Sequence, residues 1–240
     1  MTLFDAISVR KSVRKFEPTP LPAETLAQIE TFLTGAKPLF PGIRTEHRLA
    51  LAGAVKGMFL VKAPHYLIIS SEEKEGFLLN AGFLYQQLDL YLSSQGLGCC
   101  WLGMAKPTQT PDTALPIVIT MALGRSAETP HRARESEFKR KAVAEIAEGE
   151  DPRLPYARLA PSGMNSQPWF VRCHGGSMFV YRRPPKGLIA HRMDRMNQID
   201  LGIFLCHLYI AGEALGMGFS FEAQPVEAHE DLMFVGKVGK

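Results

Sequence analysis

Two long apolar segments of this chain match each other at a spacing of half its length. Residues 80–98 can be laid over residues 200–218, and each copy follows a loop with proline and glycine and precedes a predicted strand. The matched positions include Gly82 and Gly202, Leu88 and Leu208, Gly96 and Gly216, and Gly98 and Gly218. A duplicated unit of this kind predicts two copies packed about a pseudo-twofold axis, as the subunits of a homodimer pack.

The repeat divides the chain into two halves and indicates its fold class. We place the first half at residues 1–124 and the second at residues 125–240. The chain has 240 residues, of which 46% are apolar and 21% charged, so it can bury one core of ordinary size. The sequence therefore predicts an α+β fold in which two duplicated α/β half-units form an intramolecular pseudo-dimer.

Apolar periodicity and turn residues predict the individual helices and strands. The expected helices cover residues 2–10, 22–33, 46–60, 76–95, 141–148 and 197–215. The expected strands cover residues 65–70, 117–123, 169–173, 178–181, 219–223 and 233–238. Residues 99–104 are expected to form a short apolar connection between a helix and a strand.

Charge and cysteine content exclude several classes of protein. A net charge of +3, without a basic stretch interleaved with aromatic residues, does not suit nucleic-acid binding. The four cysteines have neither the spacing of a disulfide framework nor that of a metal site. Residues 201–221 are apolar but contain His207 and Glu213, which favours a buried core helix over a membrane span. The N-terminus lacks a signal-peptide pattern, so we expect a cytoplasmic protein.

The first candidate site is the cationic segment at residues 10–16, Arg-Lys-Ser-Val-Arg-Lys-Phe. Cations are favourable at the end of a helix, which would explain Arg10 and Lys11 without any ligand. That explanation does not extend to Ser12 and Arg14. In an extended segment Arg10, Ser12 and Arg14 would share one side and could bind an anion such as a phosphate.

The second candidate site is the 160–169 loop, Ala-Pro-Ser-Gly-Met-Asn-Ser-Gln-Pro-Trp. Ser162, Asn165 and Gln167 offer hydroxyl and amide groups to a polar planar ligand, and the prolines and tryptophan would keep the loop rigid. The alternative is a tight turn that only leads into a strand. The matching loop of the first half, residues 37–44, lacks this pattern.

These segments occur together in one known family. Residues 10–16, residues 96–103 (Gly-Leu-Gly-Cys-Cys-Trp-Leu-Gly), residues 122–124 before a basic segment, and the 160–169 loop follow one another over nearly the whole chain. In this combination the chain resembles the FMN-dependent nitroreductases, in the subgroup with two half-units fused in one chain. The resemblance implies a nitroreductase-like fold, FMN as cofactor, NADH or NADPH as electron donor, and a nitroaromatic, a quinone or a similar acceptor.

The resemblance also implies which residues bind FMN. They are Arg10, Lys11, Ser12, Arg14, Leu102, Gly103, Arg140, Pro161, Ser162, Met164, Asn165 and Gln167. Arg10 and Ser12 would hold the phosphate together with Arg140, and Arg14 would lie near the pyrimidine edge of the flavin. The chemistry would be carried by the flavin, so no catalytic side chain and no metal is implied.

Some parts of this assignment stay open. Ala142 stands where the family commonly has a proline, so Arg134 or Lys139 could take the role of Arg140. Only one site would be complete, because each half lacks one of the two candidate segments, and this predicts one FMN per chain and a monomer. Residues 36–48 and 183–198 are candidate lids, and the candidate substrate contacts are Arg192, Met193 and Arg195.

Two other hypotheses remain. The chain could bind or sequester a flavin without turnover, or use the same cleft for another ligand. A membrane-associated protein that uses residues 201–221 is a weaker alternative.

Overall fold

The computed structural model describes residues 1–109, 112–229 and 231–239, and the side chains of residues 225–229 lie outside this description. The chain divides into two compact units, Met1–Phe138 and Lys139–Lys240. Each unit combines helices with a β-sheet. The predicted mixture of helix and strand is therefore confirmed.

The first unit contains a four-stranded sheet and one long helix. Its elements are α1 (Leu3–Ile7), α2 (Ala23–Gly35), β1 (Thr45–Leu51), β2 (Val55–Lys56), β3 (His65–Ser71), α3 (Phe77–Ser94), β4 (Gly98–Leu102), β5 (Lys106–Pro107), β6 (Ile117–Gly124) and a 3₁₀ turn at Glu135–Phe138. The sheet has the order β1-β3-β6-β4, with every neighbouring pair antiparallel. All of β3 is buried, which accounts for the apolar residues Tyr66–Ile69 at its centre.

Helix α3 lies at the centre of the first unit and is buried on nearly every side. Its buried polar side chains bind the backbone of the loop that precedes β1. Gln87 exchanges two hydrogen bonds with the backbone of Lys37 (3.2 and 2.7 Å), and Asn80 Oδ1 accepts the Phe40 N–H at 2.9 Å. These bonds offset the cost of burying amide groups in an apolar core.

The buried His65 gives the first unit a pH-dependent stability. Its Nε2 accepts the Leu21 N–H at 2.8 Å, so the ring must be neutral at this nitrogen, and burial lowers the pKa of His65 below 6.5. At a pH below about 6.5 the unfolded chain takes up a proton on His65 that the folded chain does not, so the contribution of this residue to stability falls as the pH falls. Urea unfolding at both pH values would give the free energy of unfolding at pH 7.5 minus that at pH 5.5, for the wild-type chain and for His65→Gln. His65→Gln should reduce this difference; an unchanged difference would contradict the assignment.

The second unit contains a five-stranded sheet and a second long helix. Its elements are α4 (Val143–Ile146), β7 (Ala147–Glu148), α5 (Leu154–Ala157), a 3₁₀ turn at Gly163–Asn165, β8 (Trp169–His174), β9 (Ser177–Arg182), α6 (Ala190–Ala214), β10 (Ser220–His229) and β11 (Leu232–Gly239). The sheet has the order β10-β11-β9-β8-β7. Only the β7–β8 pair of this order is parallel. Gly175 and Gly176, both at positive φ, form the tight turn between β8 and β9, as predicted.

Helix α6 is the buried helix of the second unit. Its Phe204 ring stacks on Trp169 at the start of β8, with ring centroids 4.9 Å apart. The helix ends at Gly216, whose φ of +65° allows the Met217 N–H to reach the Gly212 carbonyl at 2.8 Å. Burial of α6 explains why residues 201–221 are apolar enough to have been compared with a membrane span. Among the residues described above, no helix is long and apolar enough to cross a membrane.

The prediction of a helix at residues 46–60 is wrong. This stretch forms β1 and β2, and β1 pairs along its whole length with the buried β3, from Thr45 opposite Ser71 to Leu51 opposite His65. Pairing with a buried strand outweighs the weak helix propensity of the Ala- and Leu-containing segment. The apolar connection predicted at residues 99–104 is also wrong in part, because it lies mostly in β4.

The two units meet in sequence at a later position than the predicted boundary between residues 124 and 125. Residues 125–138 pack with the first unit, because they pair with its N-terminal segment. The Glu17 N–H donates to the Arg125 carbonyl at 2.9 Å, and the Arg132 N–H donates to the Val9 carbonyl at 2.7 Å. The α4 helix is shorter than predicted, and α6 begins at Ala190 rather than near residue 197.

Candidate functional site

The cationic segment at residues 10–16 is extended and lies beside β4 in the first unit. Ser12 forms an isolated parallel bridge with Cys99, and the Val13 N–H donates to the Cys99 carbonyl at 2.9 Å. Val13 is buried against Gly98, where a Cβ would lie 2.8 Å from the Val13 side chain. The glycine at position 98 is therefore required for the close approach of this segment to the strand.

Arg10 is buried in an ion pair, which its cationic surroundings did not predict. Its Nε lies 3.1 Å from Asp89 Oδ2 on α3, and the two side chains are 1% and 2% exposed. Arg10 Nη2 also donates to Ser12 Oγ at 3.1 Å. Burial raises the pKa of Asp89, and the adjacent Arg10 opposes that shift. Asp89 thus holds the Arg10 guanidinium inside the first unit.

A second arginine completes this cluster. Arg132 Nη1 donates to the Arg10 carbonyl, and its guanidinium lies 4.2 Å above the ring of Phe138. Burial lowers the pKa of Arg132 to about 10, and the positive charge of Arg10 contributes to this shift. Asp89 interacts electrostatically with Arg10 and Arg132, and Arg132 also interacts with Arg14 and Glu137. Three guanidinium groups therefore meet two carboxylates, and the cluster carries excess positive charge.

The residues present fit the anionic part of a flavin cofactor. Arg10 Nη1 is buried and has no hydrogen-bond partner in the part of the chain that the structure describes. A buried guanidinium nitrogen without a partner is costly, and a phosphate oxygen would satisfy it. Ser12 and Arg14 offer a hydroxyl and an exposed guanidinium in the same extended segment. Lys11, which is partly exposed, adds a further cation.

Leu102 and Gly103, the other candidate residues of the first unit, lie at the end of β4. Leu102 is buried in an apolar cluster with Tyr66 and Ala122, and Gly103 follows in an exposed turn. The preceding Trp101 is fixed by a hydrogen bond from its Nε1 to Gln86 Oε1 at 3.1 Å. The turn at Gly103 is thus attached to a rigid strand end.

The 160–169 loop has a strained backbone. Met164, Asn165 and Gln167 have φ values of +53°, +58° and +49°, in the left-handed region that costs a residue other than glycine about 1 to 2 kcal/mol. Met164 is nevertheless 90% exposed, so core packing of its side chain does not impose this conformation. Backbone strain of this kind persists only when surrounding contacts fix it, and it is concentrated at functional sites.

Hydrogen bonds from the neighbouring segment fix the 160–169 loop. Arg140 donates from Nε to the Ala160 carbonyl at 2.9 Å and from Nη1 to Asn165 Oδ1 at 2.5 Å. Gln167 Oε1 accepts the Lys141 N–H at 2.8 Å, and its Nε2 donates to the Asn165 carbonyl at 3.2 Å. The side chains expected to contact a ligand are therefore also structural parts of the loop.

Ser162 and Pro161 occupy the start of the same loop. Ser162 Oγ accepts the Gln167 N–H at 2.9 Å, and Pro161 is buried. The adjacent Gly163 donates its N–H to both carboxylate oxygens of Asp200 on α6, at 3.1 and 2.9 Å. Burial raises the pKa of Asp200 to about 7, although the hydrogen bond from Gly163 opposes the shift.

Arg134 and Lys139, the alternatives to Arg140 as the phosphate contact, lie in different surroundings from Arg140. Arg134 is an exposed residue of the first unit whose Nε lies 3.9 Å from Glu137 Oε1, and Lys139 has a φ of +52°. Of the candidate substrate contacts, Arg192 is exposed and Met193 and Arg195 are half-buried in the first turns of α6. None of these positions decides the assignment, and all remain predictions.

Sequence reasoning missed three charged residues that contact the two candidate segments. Asp89 and Asp200 each lie inside a long apolar helix, and Arg132 follows the predicted half boundary. An acidic residue in an apolar helix needs a buried partner, so the sequence did contain a signal for Asp89 and Asp200. The partners themselves are 79 and 37 positions away in the chain (Arg10 and Gly163) and required the structure.

Comparison with known proteins assigns the chain to a family. The chain belongs to the family described as "Putative TM nitroreductase", which matches residues 2–212. Of solved structures, it is similar to a "putative nitroreductase" from Thermotoga maritima MSB8, at 23% identity and a TM-score of 0.66, over 98% of this chain and 93% of that chain. At this identity the similarity establishes the fold alone. No curated protein sequence matches this chain.

Two further solved structures show weaker similarity. A nitroreductase family protein from Clostridium difficile 630 has 15% identity and a TM-score of 0.48, over 63% of this chain and 99% of that chain. A nitroreductase with bound FMN from Bacteroides fragilis NCTC 9343 has 18% identity and a TM-score of 0.42, over 53% of this chain and 89% of that chain.

Within the described part of this chain, no group of His, Cys, Asp and Glu residues could hold a metal ion.

Proposed function

We propose that this chain is an FMN-dependent oxidoreductase that takes electrons from NADH or NADPH and passes them to a nitroaromatic, a quinone or a similar acceptor. The nitroreductase family of the chain supports this function. The observation that carries it is the Arg10 cluster, where a buried guanidinium nitrogen has no hydrogen-bond partner among the described residues and lies among excess positive charge. When bound, FMN would supply the electron-transfer chemistry.

The protein residues would bind and orient the cofactor. Arg10, Ser12 and Lys11 would bind the phosphate, and Asp89 would keep Arg10 in place. Arg14, which is exposed, would stabilise negative charge on the flavin ring. The remaining proposed FMN-binding residues are Leu102, Gly103, Arg140, Pro161, Ser162, Met164, Asn165 and Gln167. Arg140 and Gln167 would act mainly by holding the 160–169 loop in its strained conformation.

We further propose that the two units derive from one duplicated half-unit. Two matched features support this. Both long helices end at a left-handed glycine with the same pair of capping bonds, at Gly96 and Gly216. Both also use a polar side chain at the matched position, Asn80 or Asp200, to accept an N–H from the loop that precedes β1 or β8. Only the first unit has the cationic segment, which is why we propose a single FMN per chain, in a monomer in the cytoplasm.

Consumption of NADH or NADPH tests the proposed activity. With oxygen excluded, we expect the purified chain supplied with FMN to oxidise one of these donors steadily only when a quinone or a nitroaromatic is present. Arg14→Ala should weaken FMN binding about tenfold or more, because a hydrogen bond to a charged group contributes about 1.5 to 3 kcal/mol. The matched control is Lys15→Ala, since the exposed Lys15 pairs with Glu128 at the surface.

Two outcomes would contradict the proposal, one concerning the enzyme activity and one concerning the FMN-binding site. Bound FMN without any donor consumption would favour a flavin-binding or sequestering protein. Equal effects of Arg14→Ala and Lys15→Ala on FMN affinity would show that the cationic segment acts only through its general charge. Arg10→Ala is unsuitable for this test, because it also removes the partner of the buried Asp89.

A further inference from the structure

The 160–169 loop needs an anchor at its centre. Three of its residues have left-handed backbone conformations, and the exposed Met164 side chain contributes little packing to hold them. The segment that contains Arg140 and Lys141 binds the start of the loop at the Ala160 carbonyl and its second half at Asn165 and Gln167. Between them, Gly163 begins the 3₁₀ turn and donates its N–H to Asp200.

The contact between Gly163 and Asp200 has the geometry of a strong hydrogen bond. The N–H lies between both carboxylate oxygens, at 3.1 and 2.9 Å, and Asp200 is 3% exposed. A hydrogen bond to an ionised acceptor is roughly twice as strong as one between neutral groups. The α6 helix that carries Asp200 is buried along most of its length, so the carboxylate is a fixed point for the loop.

The first unit contains the same contact without the charge. Its Asn80, at the matched position of α3, accepts the Phe40 N–H at 2.9 Å, and it holds a loop that lacks the predicted ligand-binding pattern. A neutral amide is therefore sufficient to hold such a loop against a helix. The two contacts share the acceptor and differ in charge, so the acceptor at position 200 is the feature that holds the 160–169 loop against α6.

We propose that Asp200 is the positioning residue of the 160–169 loop: its carboxylate holds the Gly163 N–H and thereby keeps Ser162, Asn165 and Gln167 in the conformation that binds FMN. This inference rests on the proposed flavin-dependent function. Asp200 would act through the loop and would not contact the flavin itself. The binding energy of the cofactor would then depend on an acceptor at position 200.

The test compares two substitutions at Asp200 with one in the first unit. Asp200→Leu removes the acceptor at similar volume, and Asp200→Asn retains an acceptor oxygen. Asn80→Leu is the matched control, since it removes the equivalent contact from α3 and the Phe40 loop. For each folded chain, FMN affinity is measured by fluorescence titration. Hydrogen exchange of the Gly163 amide is followed by NMR in the chain without FMN.

We expect Asp200→Leu to weaken FMN binding about tenfold or more and to make the Gly163 amide exchange rapidly, because its N–H loses a buried acceptor. Asp200→Asn should keep both the FMN affinity and the exchange rate of the Gly163 amide near their wild-type values. Asn80→Leu should expose the Phe40 amide to exchange and leave FMN affinity within about threefold of wild type, because neither Asn80 nor Phe40 is among the proposed FMN-binding residues.

Each alternative result would overturn the inference in a recognisable way. Wild-type affinity in a folded Asp200→Leu chain would show that the loop does not need this anchor. An unprotected Gly163 amide in the wild-type chain would overturn the inference without any variant, even if Asp200→Leu did not fold. Absence of FMN binding in the wild-type chain would overturn the inference together with the proposed function, and the other results would leave that function standing.

Discussion

Arg10→Ala is expected to lower the free energy of unfolding by about 3 to 5 kcal/mol, because it leaves a buried carboxylate without its partner. Arg10 and Asp89 are 1% and 2% exposed, and their charged atoms are 3.1 Å apart. Water therefore cannot replace the lost guanidinium. The free energy would be measured by urea unfolding of the FMN-free chain at pH 8, with Arg14→Ala as the control. Arg14 is an exposed cation of the same segment, so its removal should change stability by about 0.5 kcal/mol or less.

The pH dependence of the stability lost in Arg10→Ala shows whether the unpaired carboxylate of Asp89 is its cause. Burial already raises the pKa of Asp89, and Arg10 opposes that shift. Without Arg10 the folded chain would hold a proton on Asp89 at a pH where the unfolded chain does not, so stability should fall as the pH rises. The cost of Arg10→Ala should therefore be larger at pH 8 than at pH 5. The double variant Arg10→Met with Asp89→Leu should recover most of the loss. A cost below about 1 kcal/mol at pH 8 would contradict the buried ion pair.

Asp200→Asn is expected to make the chain more stable at pH 8 by on the order of 1 to 3 kcal/mol. Burial raises the pKa of Asp200 from 3.8 to about 7, so between these values the folded chain holds a proton that the unfolded chain releases. The contribution of Asp200 to stability therefore falls as the pH rises from about 4 to about 7, and the ionised carboxylate remains a cost above that range. Asparagine cannot ionise but can still accept the Gly163 N–H.

Urea unfolding of the FMN-free chain at pH 5 and pH 8 checks this expectation. The gain from Asp200→Asn should be small at pH 5, where Asp200 is mostly protonated in the folded chain, and large at pH 8. Glu213→Gln is the control, because Glu213 is an exposed acidic residue of the same helix. A variant that is less stable than wild type at pH 8 would contradict the raised pKa of Asp200. Higher stability with unchanged FMN binding would show that an acceptor without charge is sufficient at position 200, as the positioning role of Asp200 requires.

The sequence predicted the parts of the fold that depend on local pattern. Helix α3, the β8–β9 hairpin and the buried strands β3 and β6 have strong periodicity or clear turn residues, and all four are present. The error at residues 46–60 has a different origin. Ala and Leu in this stretch permit a helix, but the edge of the sheet beside β3 requires a strand, and that requirement comes from residues distant in the chain.

The candidate site was predictable in outline and not in its contacts. The cationic segment and the 160–169 loop stand out by composition, because both combine polar side chains with turn or charge patterns in a few residues. The burial of Arg10 could not be read from its neighbours, since it depends on Asp89 in a helix far along the chain. The internal bonding of Asn165 and Gln167 was missed for the same reason, because their partners include the distant Arg140 and Lys141.

The stoichiometry and affinity of FMN test the central proposal most directly. The FMN-free chain would be dialysed to equilibrium against a series of FMN concentrations, and bound flavin would be quantified by visible absorption against chain concentration. The account predicts saturation at about one FMN per chain, with Arg14→Ala shifted to higher concentration and Lys15→Ala unshifted. Saturation at two would contradict the single complete site, and no binding at any concentration would contradict the flavin-dependent function.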